Sequence, residues 1–147
     1  MTTIRTVAVI GAGQMGSGIA QAVASGGYEV RLYDLSAERV PLAQGEIAAS
    51  LARRAARGLT TSAEAEAALA RIQPVATLAE AAQADLIIEA ASEDEAVKKS
   101  VFIDLLPHLG PDTLLASNTS SISITRLASV SDRPDRFIGL HFMKPAP

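Results

Sequence analysis

The feature that most constrains the fold lies in the first 34 residues. Thr6-Val7-Ala8-Val9-Ile10 is a short apolar run that ends at Gly11-Ala12-Gly13-Gln14-Met15-Gly16. Such a run predicts a strand buried on both faces. Gln14 to Ser25 predicts a helix, stopped by Gly26-Gly27. Tyr28 to Tyr33 alternates, is rich in strand formers, and ends at Asp34. Strand, glycine turn, helix and strand make one right-handed crossover unit. A Gly-x-Gly-x-x-Gly loop is weak alone and strong in this setting. Gly11 permits the tight turn, Gly13 lets the backbone approach a pyrophosphate, and Gly16 lets helix and strand pack closely. Ala12, Gln14 and Met15 complete the loop, where free N–H groups and the helix dipole meet the phosphates.

Asp34 stands eighteen residues after Gly16. At this offset its carboxylate accepts hydrogen bonds from the adenosine ribose and repels the extra phosphate of NADP, which selects NAD. The competing reading, a glycine turn and a capping aspartate in an unrelated α/β domain, fits this combination poorly.

The rest of the chain predicts more of the same architecture. Ser36 is a plausible N-cap for an Ala-rich helix to about Arg57, in which Pro41 demands a late start or a kink. Gly58 ends it, and Thr60 to Ile72 predicts a second helix. Pro74 to Ala76 reads as a short strand, Leu78 to Ala82 as a helical turn, and Asp85 to Glu89 as a buried strand. Ser92 to Glu95 resembles a capping box, and Val97, Val101 and Leu105 form one apolar stripe with Phe102 and Leu106 beside it. Thr113 to Ala116, Ile122 to Ala128 and Phe137 to Phe142 predict strand, helix and strand. The expectation is an α/β, Rossmann-type doubly wound fold: a mostly parallel sheet, with a two-helix excursion after the second strand, forming one domain over 1–147.

Composition excludes several classes. With 147 residues, 48% hydrophobic and 20% charged, the balance is that of a globular domain. A net charge of −3, with no basic block beyond Arg53, Arg54 and Arg57, argues against a nucleic-acid partner. There is no cysteine, and His108 and His141 alone cannot make a zinc site of the usual kind, so no metal is expected. No apolar run approaches the roughly 18 residues of a membrane span. The first strand begins near Ile4, which leaves no room for a leader, so the expected location is cytoplasmic, in a bacterium.

Two further segments carry candidate chemistry. Ser117-Asn118-Thr119-Ser120-Ser121 follows a strand, where ligands sit in doubly wound sheets. It reads equally as a holder of polar substrate or nicotinamide atoms and as a turn capping the next helix. His141, near the end of the last strand, titrates at about pH 6.5 and suits proton exchange with an alcohol. A lone histidine between Leu140 and Phe142 is more often a core or surface residue, and the strand-end position shifts the balance toward function. Lys98 and Lys99 read as a solvated helix face, and His108 as a residue favouring a helix C-terminus.

Together these segments resemble the N-terminal domain of the L-3-hydroxyacyl-CoA dehydrogenases. The resemblance rests on Val9 to Ala20, on Glu89-Ala90-Ala91-Ser92-Glu93, on Ala116 to Ser121 and on Asp135 to Phe142, and the last two are the specific ones. It implies oxidation of the 3-hydroxyl of an acyl-CoA, with a short acyl chain, by hydride transfer to NAD in fatty acid metabolism. It implies that His141 takes the hydroxyl proton and that Ser120 contacts substrate oxygen and cofactor. Glu93 and Lys98 then lie near the nicotinamide ribose and the CoA, with Asn118 on the cofactor side. Ser50 and Arg57, on the excursion, become CoA contacts, with Arg57 supplying a charge for a CoA phosphate. Lys144 stands where the family has asparagine in a His-Phe-x-Asn-Pro pattern, a cofactor-side position. A cation there depresses the histidine's pKa or hinders the cofactor. The glutamate that orients the histidine, and the helical domain that closes the cleft and forms a homodimer, belong after Pro147 in the family. The expectation is little or no turnover from these 147 residues alone. Related sugar-acid or carnitine dehydrogenases, and a non-catalytic NAD-binding module, are the alternatives.

Overall fold

The computed structural model describes residues 3–119 and 121–140. Six strands form one sheet in the order β3-β2-β1-β4-β5-β6, and every pairing is parallel. The strands are β1 (Thr6–Ile10), β2 (Glu29–Tyr33), β3 (Ile72–Pro74), β4 (Leu86–Glu89), β5 (Leu114–Asn118) and β6 (Phe137–Leu140). The helices are α1 (Gln14–Ser25), α2 (Arg39–Ala56), α3 (Ser62–Ala70), α4 (Leu78–Ala81), α5 (Glu95–Leu105) and α6 (Ile124–Ala128). The strand order reverses direction between β1 and β4. A crevice for a ligand opens at that switch point, beyond the carboxyl ends of the strands.

Alternation along β1 explains the two cores. Val7 and Val9 face one side and join α1, α2 and α3. Ala8 and Ile10 face the other and join α4, α5 and α6. Phe102 of α5 meets Phe137 of β6 edge-on, with ring centroids 4.7 Å apart, which seats that helix on the last strand. Asp85 pins the start of β1 beside β4: its Oδ2 accepts from the backbone N–H of Arg5 at 2.9 Å and of Thr6 at 3.1 Å. Those two bonds, Arg5's first, hold its carboxyl below the ordinary range against a smaller opposing effect of burial.

The two-helix excursion is present and packs back on α1. Val40, Ala43, Ile47 and Leu51 put one buried stripe of α2 into the first core. Pro41 is accommodated by the late start. As the third residue of α2, it lacks an N–H that the helix would leave unpaired in any case.

Several local expectations need correction. Ser36 is not the cap of α2. Glu38 occupies that position, and Asp34 Oδ1 accepts from Ser36 N at 2.8 Å, so Ser36 closes an Asx turn instead. The second helix ends at Ala70, because Ile72 pairs with Val30 in β3, and strand pairing overrides local helix pattern. The strand expected at Pro74 to Ala76 therefore begins two residues earlier. The cap of α5 is Asp94, which accepts from Val97 N, and not Ser92. Hydroxyl–glutamate caps of the expected kind occur at Thr61/Glu64 and Thr77/Glu80. In the last stretch, β5 extends to Asn118, which puts Ser117 and Asn118 inside the strand, and α6 starts at Ile124 with Ser123 as its cap.

Candidate functional site: a cleft at the switch point

A cleft of about 710 Å³ opens where β1 and β4 diverge. Gly11, Gly13, Gln14, Met15, Asp34, Glu93 and Asn118 all line it. The loop's three glycines are glycine for different reasons. Gly11 has φ +122°, and a Cβ there would lie 2.4 Å from Ala90 O; a Cβ on Gly16 would lie 1.8 Å from Gly11 O. Both are demanded by the chain's own packing. Gly13 is not: its φ of −79° suits any residue, and a Cβ there would meet only Arg39 Nη1 at 3.7 Å. The space over Gly13 opens into the cleft, so a group entering from outside is what its missing side chain admits.

The loop is also rich in donors. Gly13 caps α1 without any side-chain hydrogen bond, so the first-turn N–H groups of Gln14 and Met15 face the cleft without a capping acceptor. Anions bind such ends through those donors and the helix dipole. Ala12 is buried and does not line the cleft; its N–H donates to Asp34 Oδ2 at 2.8 Å. Asp34 therefore joins the glycine loop to the end of β2. Each of its oxygens takes one backbone N–H, which leaves acceptor capacity for a pair of hydroxyls.

The opposite wall is built from charge. Glu89, at the end of β4, and Lys98, on α5, are both fully buried. Lys98 Nζ donates to Glu89 Oε2 at 2.9 Å, to Oε1 at 3.0 Å and to Asn118 O at 3.2 Å, and it lies 3.6 Å from Glu93 Oε1. Glu89 also accepts from Ser117 Oγ and, at 2.7 Å, from Ala91 N. Ser121 Oγ donates to Glu93 Oε2 at 3.3 Å. The cluster thus ties the Ala91–Glu93 turn after β4 to Asn118 at the end of β5 and to Ser121 beyond it. After β5, Thr119 Oγ1 accepts from Ile122 N at 3.1 Å, so this segment works as a turn and lines the cleft as well.

Lys98 is brought to the cleft wall but not into the cleft: its ammonium sits behind Glu93 and Asn118. The expectation of a solvated face holds for Lys99, which pairs with Glu95, and fails for Lys98. Ser50 and Arg57 lie elsewhere, seven residues apart on α2 and so on one side of it. Ser50 Oγ accepts from Gln21 Nε2 at 3.0 Å, and Arg57 is exposed at the helix end. Ser120, His141 and Lys144 lie outside the described residues. Sequence reasoning gave no role to Glu89 or Arg39. The signal for the first was available: a carboxylate ends a strand that is otherwise apolar.

The family model for the 3-hydroxyacyl-CoA dehydrogenase NAD binding domain matches residues 6–147. The chain belongs to the 3-hydroxyacyl-CoA dehydrogenase family. It is 48% identical over 144 residues to a 3-hydroxybutyryl-CoA dehydrogenase of Bradyrhizobium diazoefficiens, covering 98% of this chain and 49% of that protein. It is 50% identical over 147 residues to a 3-hydroxyadipyl-CoA dehydrogenase of Escherichia coli, covering all of this chain and 31% of that one. The crystal structure of a 3-hydroxybutyryl-CoA dehydrogenase from Escherichia coli superposes with a TM-score of 0.95 at 49% identity, over 99% of this chain and 31% of that chain. The chain thus spans a third to a half of these relatives' lengths. Within the 3-hydroxyacyl-CoA dehydrogenase family it is the NAD-binding domain, and its cofactor is NAD. The open Gly13, the uncapped donors and Asp34 fit that dinucleotide. No described helix is long and apolar enough to cross a membrane.

Proposed function

We propose that this chain supplies the NAD half of a dehydrogenase that converts an L-3-hydroxyacyl-CoA to the 3-ketoacyl-CoA. The carrying observation is the cleft at the switch point: a glycine whose absent side chain the protein itself does not need, flanked by free helix donors and an aspartate. When bound, NAD supplies a hydride acceptor. The chain's part is to hold and orient. Gly13, Gln14 and Met15 seat the phosphates, and Asp34 accepts from the adenosine ribose. Ala12 and Gly16 fix the loop's shape from within.

On the other wall, Glu93, Asn118 and Ser120 serve the nicotinamide ribose and the substrate oxygen, with Lys98 holding Glu93 and the Asn118 carbonyl in place. His141 accepts the hydroxyl proton as the carbon loses its hydride. Lys144 stands on the cofactor side of that histidine. Ser50 and Arg57 receive the CoA. These roles rest on the family pattern, and the burial of Lys98 favours a positioning role over direct contact for that residue. The relatives' names carry both a butyryl and an adipyl group; a short acyl chain is our reading. A homodimer and a cytoplasmic location belong to the same reading.

The test joins this chain to the C-terminal half of the Bradyrhizobium relative and follows NADH formation. L-3-hydroxybutyryl-CoA with NAD should give turnover, and His141→Ala should lower it by about 10²–10⁴-fold. A folded chimera that binds NADH yet turns over no 3-hydroxyacyl-CoA would leave a non-catalytic NAD module instead.

A further inference from the structure

Arg39 is the residue of the cleft that the glycine fingerprint does not explain. Among the described lining residues it is the one cation, sharing the cleft with the carboxylates Asp34 and Glu93. It is the first residue of α2, directly after the cap Glu38, at a helix end that disfavours a positive charge. Among the described residues no ion pair joins Arg39 to a carboxylate. Asp34, five residues before it, accepts instead from the backbone N–H groups of Ala12 and Ser36. The guanidinium instead lies over Gly13, with Nη1 3.7 Å from where a Cβ on that glycine would sit.

The geometry points to Arg39 as a binding residue for the dinucleotide pyrophosphate, closing over the phosphates from α2 while Gln14 and Met15 hold them from α1. This deepens the NAD reading and rests on it. Backbone donors alone leave a phosphate pair facing two carboxylates in the same cleft. A planar guanidinium supplies both the countercharge and a two-pronged donor suited to phosphate oxygens. The ribose 2′-phosphate of NADP is the other phosphate an arginine beyond the second strand could read. The placement over Gly13, rather than at Asp34, favours the pyrophosphate.

The experiment titrates the full chain with NADH and with NADPH at low and high salt, for the native sequence, Arg39→Ala and Arg39→Lys. Arg39 is exposed, and a thermal melt of each variant checks that the fold is kept. Arg39→Ala should weaken NADH about tenfold at low salt, as expected for losing a hydrogen bond with a charged partner. The loss should shrink as salt rises, NADPH should weaken in proportion, and Arg39→Lys should recover part of the affinity. Unchanged NADH affinity at low salt would overturn the proposal. A loss much larger for NADPH than for NADH would also overturn it, and would move Arg39 to the 2′-phosphate. Failure of the native chain to bind either nucleotide would instead overturn the dinucleotide reading beneath it.

Discussion

The two walls of the cleft are made by opposite means. On the β1–α1–β2 side, Asp34 apart, the working groups are backbone: Gly11, Gly13 and Gly16 set the path, and the first-turn N–H groups of α1 lack a side-chain cap. On the β4–β5 side they are side chains, and the central ones are buried ions. Glu89 and Lys98 are both inaccessible, and each is saturated by the other and by Ser117, Ala91 and Asn118. A backbone wall can be rigid cheaply, because its donors belong to a helix that forms anyway. A charged wall must be complete, because a buried ion that loses one partner costs more than the pair contributes. The first wall therefore tolerates change wherever the loop's own packing is spared, and the second fails as a unit.

The largest expected effect tests that claim. Lys98→Met leaves Glu89 buried without its cation and should cost about 3–5 kcal/mol in urea unfolding. Adding Glu89→Leu should return a large part of the loss, since replacing both ions removes the unpaired charge. If the double variant is no more stable than Lys98→Met, the wall is not held by this pair.

The smallest expected effect lies at the sheet's far end, where a charge is again used but in a solvent-facing position. Asp85 has its pKa lowered in the folded chain, chiefly by the backbone N–H of Arg5 and then of Thr6. A depressed carboxylate stabilises the fold above its unfolded pKa of about 3.9, and that contribution disappears as pH falls through the depressed value. Asp85→Asn should therefore cost on the order of 1 kcal/mol near neutrality, after allowing for solvent screening. The deficit should fade below about pH 4. A deficit that is constant across this range would assign the effect to shape and not to charge.

The same contrast explains what was legible in the sequence. The backbone wall is written in residue types that have few other uses: glycines at fixed offsets after an apolar strand, then an aspartate after the next. The excursion and the parallel pairing follow from alternating strand and helix periodicities. The charged wall is not written that way. Lys98 beside Lys99 looks like a wet helix face, although 98, 101 and 105 share one side of α5 with the buried Val101 and Leu105. Only the tertiary partner at Glu89 makes that position tenable for a lysine. The corrected caps have a similar cause. Ser92 and Asp94 both suit the start of α5, and the backbone places Asp94 where its carboxylate accepts from Val97 N. Ile72 fits the end of a helix until Val30 offers it a strand partner.

The central claim is that an external group, the dinucleotide pyrophosphate, is why residue 13 is glycine. The measurement that reaches it most directly is a parallel titration with NADH and thermal melt of Gly13→Ala and Gly16→Ala. Gly16→Ala drives a methyl into Gly11 O and should lose stability and binding together. Gly13→Ala has room for its methyl within the protein, so its melt should match the native chain while NADH affinity falls about tenfold or more. Native-like NADH affinity in a fully folded Gly13→Ala chain would contradict the account.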